Sequence, residues 1–260
     1  MESRQPNHCS GQGHLTSAGK RDASLCSPPL LQALCCIIKS GVNLNISEWK
    51  SKTLQDLTLM ELAYAHLGKA SFYQLRDGCL KSILPITLKE INHSKHMEYS
   101  KNFVPVAGAF AVIEQVGFCY SRTDIPKHSN NKASPLLKSL YYFAGYPEAS
   151  MDMKALYALR NSFLHNASLM SIATHSNKPS FYFQFDRHID EVVQYSNTQW
   201  DGNIETFNPE MTTLINPEKI IDLASIVVDS ALDCIANEFL QVSLKGGEKE
   251  LYYRFLKHFN

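Results

Sequence analysis

From residue 28 onward the chain reads as apolar stripes at helical spacing, separated by short polar breaks. Ser27-Pro28 opens a first helix carrying Leu30, Leu31, Leu34, Ile37 and Ile38, and Gly41 stops it. The spacing predicts further helices over 54–67 (Leu57, Met60, Tyr64, Leu67) and 71–84 (Phe72, Leu75, Leu80, Ile83), the second halted by Pro85. Pro105 heads a strongly apolar stretch over 105–118, whose Ala107, Gly108 and Ala109 permit close packing at the centre of a bundle. Ser134-Pro135 and Gly145 bracket a helix over 135–144, and Tyr146-Pro147-Glu148 links it tightly to another over 151–171. A long helix opens at Asn216-Pro217 and runs through Ile220, Val227 and Ile235 toward Gly246-Gly247; a short one over 248–258 closes the chain.

Other segments depart from this pattern. Residues 180–187 (SFYFQFDR) alternate Phe181, Phe183 and Phe185 with polar neighbours, the signature of a strand, and 191–195 is placed to pair with it as a hairpin. Residues 86–102 are ambiguous, since ITLKEI fits strand or helix and the tract over 92–102 is polar, and 120–133 reads as a loop. Residues 1–26 are polar and aperiodic, which predicts a disordered arm. The expected fold is a single mostly α domain over 27–260, an up-and-down helical bundle with a small β-hairpin insertion near 180–195.

Charge narrows the possible partners little. Lys+Arg and Asp+Glu are both 25, so the net charge is zero and nothing pulls the whole chain toward nucleic acid. The seven cysteines are scattered without a C-x-x-C pair, which predicts reduced thiols and a cytoplasmic protein. His93 and His96 have no Cys or acidic partners at ligand spacing, so no metal and no cofactor is expected. No stretch approaches the roughly 18 uninterrupted apolar residues that a membrane span needs.

Candidate chemistry gathers in residues 151–171, MDMKALYALRNSFLHNASLMS. Ser150 or Asp152 serves as N-cap, and Leu156, Leu159, Phe163, Ala167 and Met170 form the core stripe. At about 100° per residue, His165 falls opposite Leu156, Asn161 lies within about 40° of His165, and Arg160 is offset from it by about 140°, with a long stem that can carry its guanidinium round to that face. That offset suits a site in which each His is served by the Arg of a second copy. Ala158, Leu169 and Ile172 share the side of His165, with Lys154 and Ser168 among them as candidate substrate contacts. Such a mixed face fits a second packing surface, such as a dimer contact.

A guanidinium matches phosphate oxygens, an imidazole exchanges protons near neutrality, and an amide orients either. Arg160, Asn161 and His165 resemble the R-(polar)-x-x-x-H motif of the HEPN superfamily, helical domains that include many metal-independent ribonucleases. The resemblance implies a bundle that dimerises so that two motif helices build one site. It also implies endoribonuclease activity leaving 2′,3′-cyclic phosphate and 5′-OH ends, with Arg160, Asn161 and His165 catalytic and RNA as substrate. A role as toxin or phage-defence effector and a nucleotidyltransferase-type antitoxin partner come with the same resemblance. Non-catalytic members imply the alternative of a dimerisation module or a nucleotide- or protein-binding module. Arg122 and His128 match a looser spacing, but Pro126 and the Ser-Asn-Asn run place them in a loop.

Overall fold

The computed structural model describes residues 44–174 and 178–260; the arm over 1–26 and the helix expected over 28–39 lie outside them. In chain order the elements are α1 (Leu59–Leu67), β1 (Phe72–Leu75), β2 (Gly78–Ser82), α2 (Leu84–Ser94), α3 (Val104–Cys119) and β3 (Tyr120–Arg122). There follow α4 (Pro135–Ala144), α5 (Met151–Asn166), β4 (Met170–Ser171), β5 (Phe181–Phe185) and β6 (Val193–Gln194). The chain closes with β7 (Thr212–Ile215), α6 (Pro217–Ala236), β8 (Leu240–Val242), α7 (Gly247–Phe255) and β9 (Leu256–Phe259). The apolar stretch over 105–118 becomes α3, which packs against α2, α4, α5 and α6 and buries Val106, Ala109, Phe110, Ile113 and Val116. Gly117 permits its approach to α4, because a Cβ there would run into the carbonyl of Pro135.

The expectation of a mostly helical bundle with one hairpin is overturned. Among the described residues nine strands form three sheets, in the orders β1-β2-β9, β3-β8 and β4-β5-β7-β6, giving a mixed α/β fold. The helix expected over 71–84 is the β1–β2 hairpin. Phe72 to Leu75 alternate exposed and buried, and Arg76-Asp77 form the two-residue loop before Gly78. Gly78 has φ +143° and lies so close to Phe259 of β9 that a Cβ would strike its carbonyl. Pro85 sits in the first turn of α2 rather than ending a helix, since its missing N–H costs nothing there.

The hairpin expected over 180–195 is also corrected. Strand β7 lies between β5 and β6, parallel to β5 and antiparallel to β6, so those two strands are not neighbours. The long helix α6 stops at Ala236, and Glu238 two residues on turns left-handed (φ 61°) and releases the chain into β8 against β3. The last residues leave α7 to extend sheet β1-β2 as β9. Helix α1 starts at Leu59, later than its stripe implied, because Thr58 and Glu61 form a capping box: Thr58 Oγ1 accepts from the Glu61 N–H at 3.2 Å, and Glu61 Oε2 accepts from the Thr58 N–H at 2.9 Å.

Candidate active site on helix α5

Helix α5 starts where Ser150 Oγ accepts the N–H of Met153 at 3.3 Å. It buries Met153, Ala155, Leu156, Leu159, Ser162 and Phe163, so the first part of the expected stripe faces the core. The helix ends at Asn166, five residues short of the expected 171. Ala167 adopts a left-handed conformation (φ 50°), and the N–H of Ser168 closes on the carbonyl of Ser162 at 3.1 Å. Beyond it the backbone belongs to β4, where Met170 and Ser171 pair with Tyr182 and Phe181. Leu169 and Ile172 therefore do not extend a helical face beside His165, and the expected continuous packing surface is not present.

The motif residues are brought together within one chain. Arg160 Nη1 donates to Asn161 Oδ1 at 3.0 Å and to His165 Nε2 at 3.1 Å. The long guanidinium stem spans the angular offset along the helix, so the Arg of the same chain serves His165. Arg160 Nη2 donates to Glu114 Oε2 of α3 at 2.7 Å, while Nε is buried without a partner among the described residues. Because a guanidinium only donates, Nε2 of His165 accepts and the ring proton sits on Nδ1. His165 is exposed and Asn161 is half-buried, so the cluster opens to solvent.

The two candidate substrate contacts fall elsewhere. Lys154 is exposed on α5, about 16 Å from His165 along the helix axis at 1.5 Å per residue. Ser168 Oγ accepts the N–H of Met170 at 3.0 Å and shapes the turn into β4. Arg122 is committed to Asp124, Nε to Oδ1 at 2.7 Å, and His128 Nδ1 accepts the N–H of Asn130 at 3.1 Å, so that loop pair forms no joint site.

Sequence reasoning passed over Glu114. Its signal was visible: in VPVAGAFAVIEQVGFC it is the one charged residue of a largely apolar helix, and a half-buried carboxylate there calls for a cation. Its neighbour Gln115 was passed over too. As placed, its amide nitrogen donates to Nε2 of His66 at 2.7 Å, and His66 Nδ1 then donates to Tyr120 Oη at 2.7 Å. Burial lowers the His66 pKa to about 3, so this imidazole stays neutral in the core.

A cleft of about 610 Å³ lies apart from the motif, lined by Lys50, Lys69, Tyr64, Phe72, Tyr73 and Asp233 among others. Among the described residues no group of three or more His, Cys, Asp or Glu side chains is arranged to hold a metal ion. Nor is any described helix long and apolar enough to cross a membrane. Compared with protein-family models, with curated proteins and with solved structures, the chain gives no match.

Proposed function

We propose that this chain is a metal-independent endoribonuclease of HEPN type in its chemistry, acting in the cytoplasm as a homodimer. The observation that carries the reading is the solvent-open cluster of Arg160, Asn161 and His165, joined by hydrogen bonds within one helix. In the reaction the ribose 2′-oxygen bonds to phosphorus and the bond from phosphorus to the 5′-oxygen breaks. His165 Nε2 accepts the 2′-OH proton, and solvent or the imidazole of a second copy supplies a proton to the departing 5′-oxygen. Arg160 stabilises the charge developing on the phosphoryl oxygens, and Asn161 holds the guanidinium in register. Exposed Phe103, whose ring packs on Phe163 at 4.5 Å between centroids, offers apolar surface to a second copy.

The test is incubation of purified protein with total RNA in EDTA, followed by mapping of the new termini. Wild type is expected to give 2′,3′-cyclic phosphate and 5′-OH ends, and Arg160→Ala and His165→Ala to give almost none. Full activity in His165→Ala sinks the reading. The cleft beside Phe72 favours a second one, a non-catalytic nucleotide-binding module, because aromatic rings and two lysines suit a base and a phosphate. That reading prevails if RNA stays intact while a nucleotide binds wild type and not Phe72→Ala.

A further inference from the structure

We infer that Glu114 is the positioning residue for Arg160, holding its guanidinium by Nη2 while Nη1 passes from His165 to the scissile phosphate; this rests on the endoribonuclease reading of the same site. Glu114 comes from α3 and Arg160 from α5, so the 2.7 Å contact fixes the guanidinium against a second, well-packed element. Both side chains are partly covered, at 21% exposure for Arg160 and 20% for Glu114, which makes this ion pair less screened than one in open water.

In the resting cluster the Nε2 lone pair of His165 is occupied by Arg160 Nη1. While that bond stands, the imidazole cannot take the 2′-OH proton, so cleavage requires it to open. Nε is sealed inside and offers the phosphate nothing. Nη1 carries two hydrogens, so the one on His165 can pass to the phosphate and free Nε2 while the other stays on Asn161 and Nη2 stays on Glu114. Without Glu114, the bond to Asn161 would be the one side-chain contact left on the guanidinium among the described residues once His165 lets go, and the head would lose its tie to α3. A phosphate competing with Glu114 for Nη2 would make the same carboxylate an inhibitor, and the two roles predict opposite signs.

The experiment is steady-state cleavage of a short unstructured RNA in EDTA by the full chain, comparing wild type, Glu114→Ala and Glu114→Gln. Glu114→Ala is expected to lower kcat about 10–100-fold, the cost of a misplaced reacting group. Its KM should move less than about threefold, since the lost contact acts through Arg160 rather than on substrate. Glu114→Gln keeps a neutral acceptor and falls between; it carries the test alone if the alanine variant does not fold. Faster cleavage in Glu114→Ala, or an unchanged kcat, overturns the proposal.

Imidazole ¹⁵N NMR gives a readout independent of turnover. The ring signals of His165 should move toward those of a solvated imidazole in Glu114→Ala at unchanged melting temperature, and unmoved signals overturn the proposal. If wild type cuts no RNA, the endoribonuclease reading fails by itself, and the NMR result still decides whether Glu114 holds Arg160 against His165.

Discussion

Adjacent residues of one helix serve two histidines in opposite ways. Glu114 faces outward to Arg160 and, through it, to His165; Gln115, turned about 100° further round α3, faces inward to His66 and Tyr120. The outer cluster ends in an exposed imidazole, whereas the inner one is sealed and stacked beneath Phe255, with ring centroids 5.0 Å apart. The same side chain can exchange protons where water reaches it and becomes a neutral packing element where water does not. Access to water, rather than residue type, separates candidate chemistry from architecture here.

The sharpest separation comes from truncating each histidine. His165→Ala should lower RNA cleavage about 10²–10⁴-fold, the usual worth of a general acid or base. Its stability should stay within about 0.5 kcal/mol of wild type because the side chain is exposed. His66→Ala should do the reverse, lowering stability by about 2–4 kcal/mol, since a cavity opens and Gln115 and Tyr120 lose their buried partner. Urea midpoints measured beside cleavage rates decide the matter, and a His66→Ala variant as stable as wild type breaks the contrast.

Acid should weaken the inner cluster. The His66 pKa is lowered from 6.5 to about 3 by burial, so between those values the unfolded chain holds a proton that the folded one refuses. Stability is therefore full above pH 6.5 and falls as pH drops, by about 1.4 kcal/mol per unit within that window. Glu61 adds to the loss further down. Burial pushes its carboxyl up, but hydrogen bonds from Lys52 and Thr58 outweigh that and hold it below its usual value of 4.5. Its contribution is thus present above that value and disappears as pH falls through the lowered one. Urea midpoints from pH 7 to pH 5 should show the upper part of the slope, and His66→Gln should flatten it.

How legible the molecule was in its sequence follows the range of the forces involved. Helices closed by their own caps were readable: Ser134 with Gly145, Asn216 with Pro217, and Ser150 at the head of α5. Elements settled by distant partners were read in part at best: alternation marked strand β5, but not that β7 would pair with it. The segment over 71–84 carries apolar residues at spacings that serve helix or strand, and pairing of β2 with β9, from the far end of the chain, accompanies the strand form. Residues 170–171 continue a helical stripe, yet β5 claims their backbone, and the N–H of Phe183 takes the carbonyl of Leu169 at 2.7 Å. Within the site the motif was visible because its three residues are local. Glu114 was not sought, although a lone charge on an apolar helix marks it. The joining of Arg160 to His165 in one chain uses the reach of the arginine stem, which the sequence allowed beside a site shared by two chains.

The two ends of α5 give the smallest effects and test how far the outer cluster is separable from stability. Ser150→Ala removes the acceptor for the Met153 N–H and should cost about 1 kcal/mol, with cleavage unchanged because His165 lies four turns away. Ala167 is the opposite case. Its left-handed backbone (φ 50°) strains an L-residue, two positions beyond His165. Ala167→Gly relieves that strain at the expense of a more flexible unfolded chain, so a net gain of about 0.5–1 kcal/mol is expected. In a thermal melt this is a rise of about 1–4 °C. The N–H of residue 167 still bonds the carbonyl of Phe163, so the last turn, and His165 on it, should keep its place and its cleavage rate. A stabilised variant that has lost cleavage would show that strain at the helix stop holds the imidazole in position, joining stability and site where the rest of the outer cluster keeps them apart.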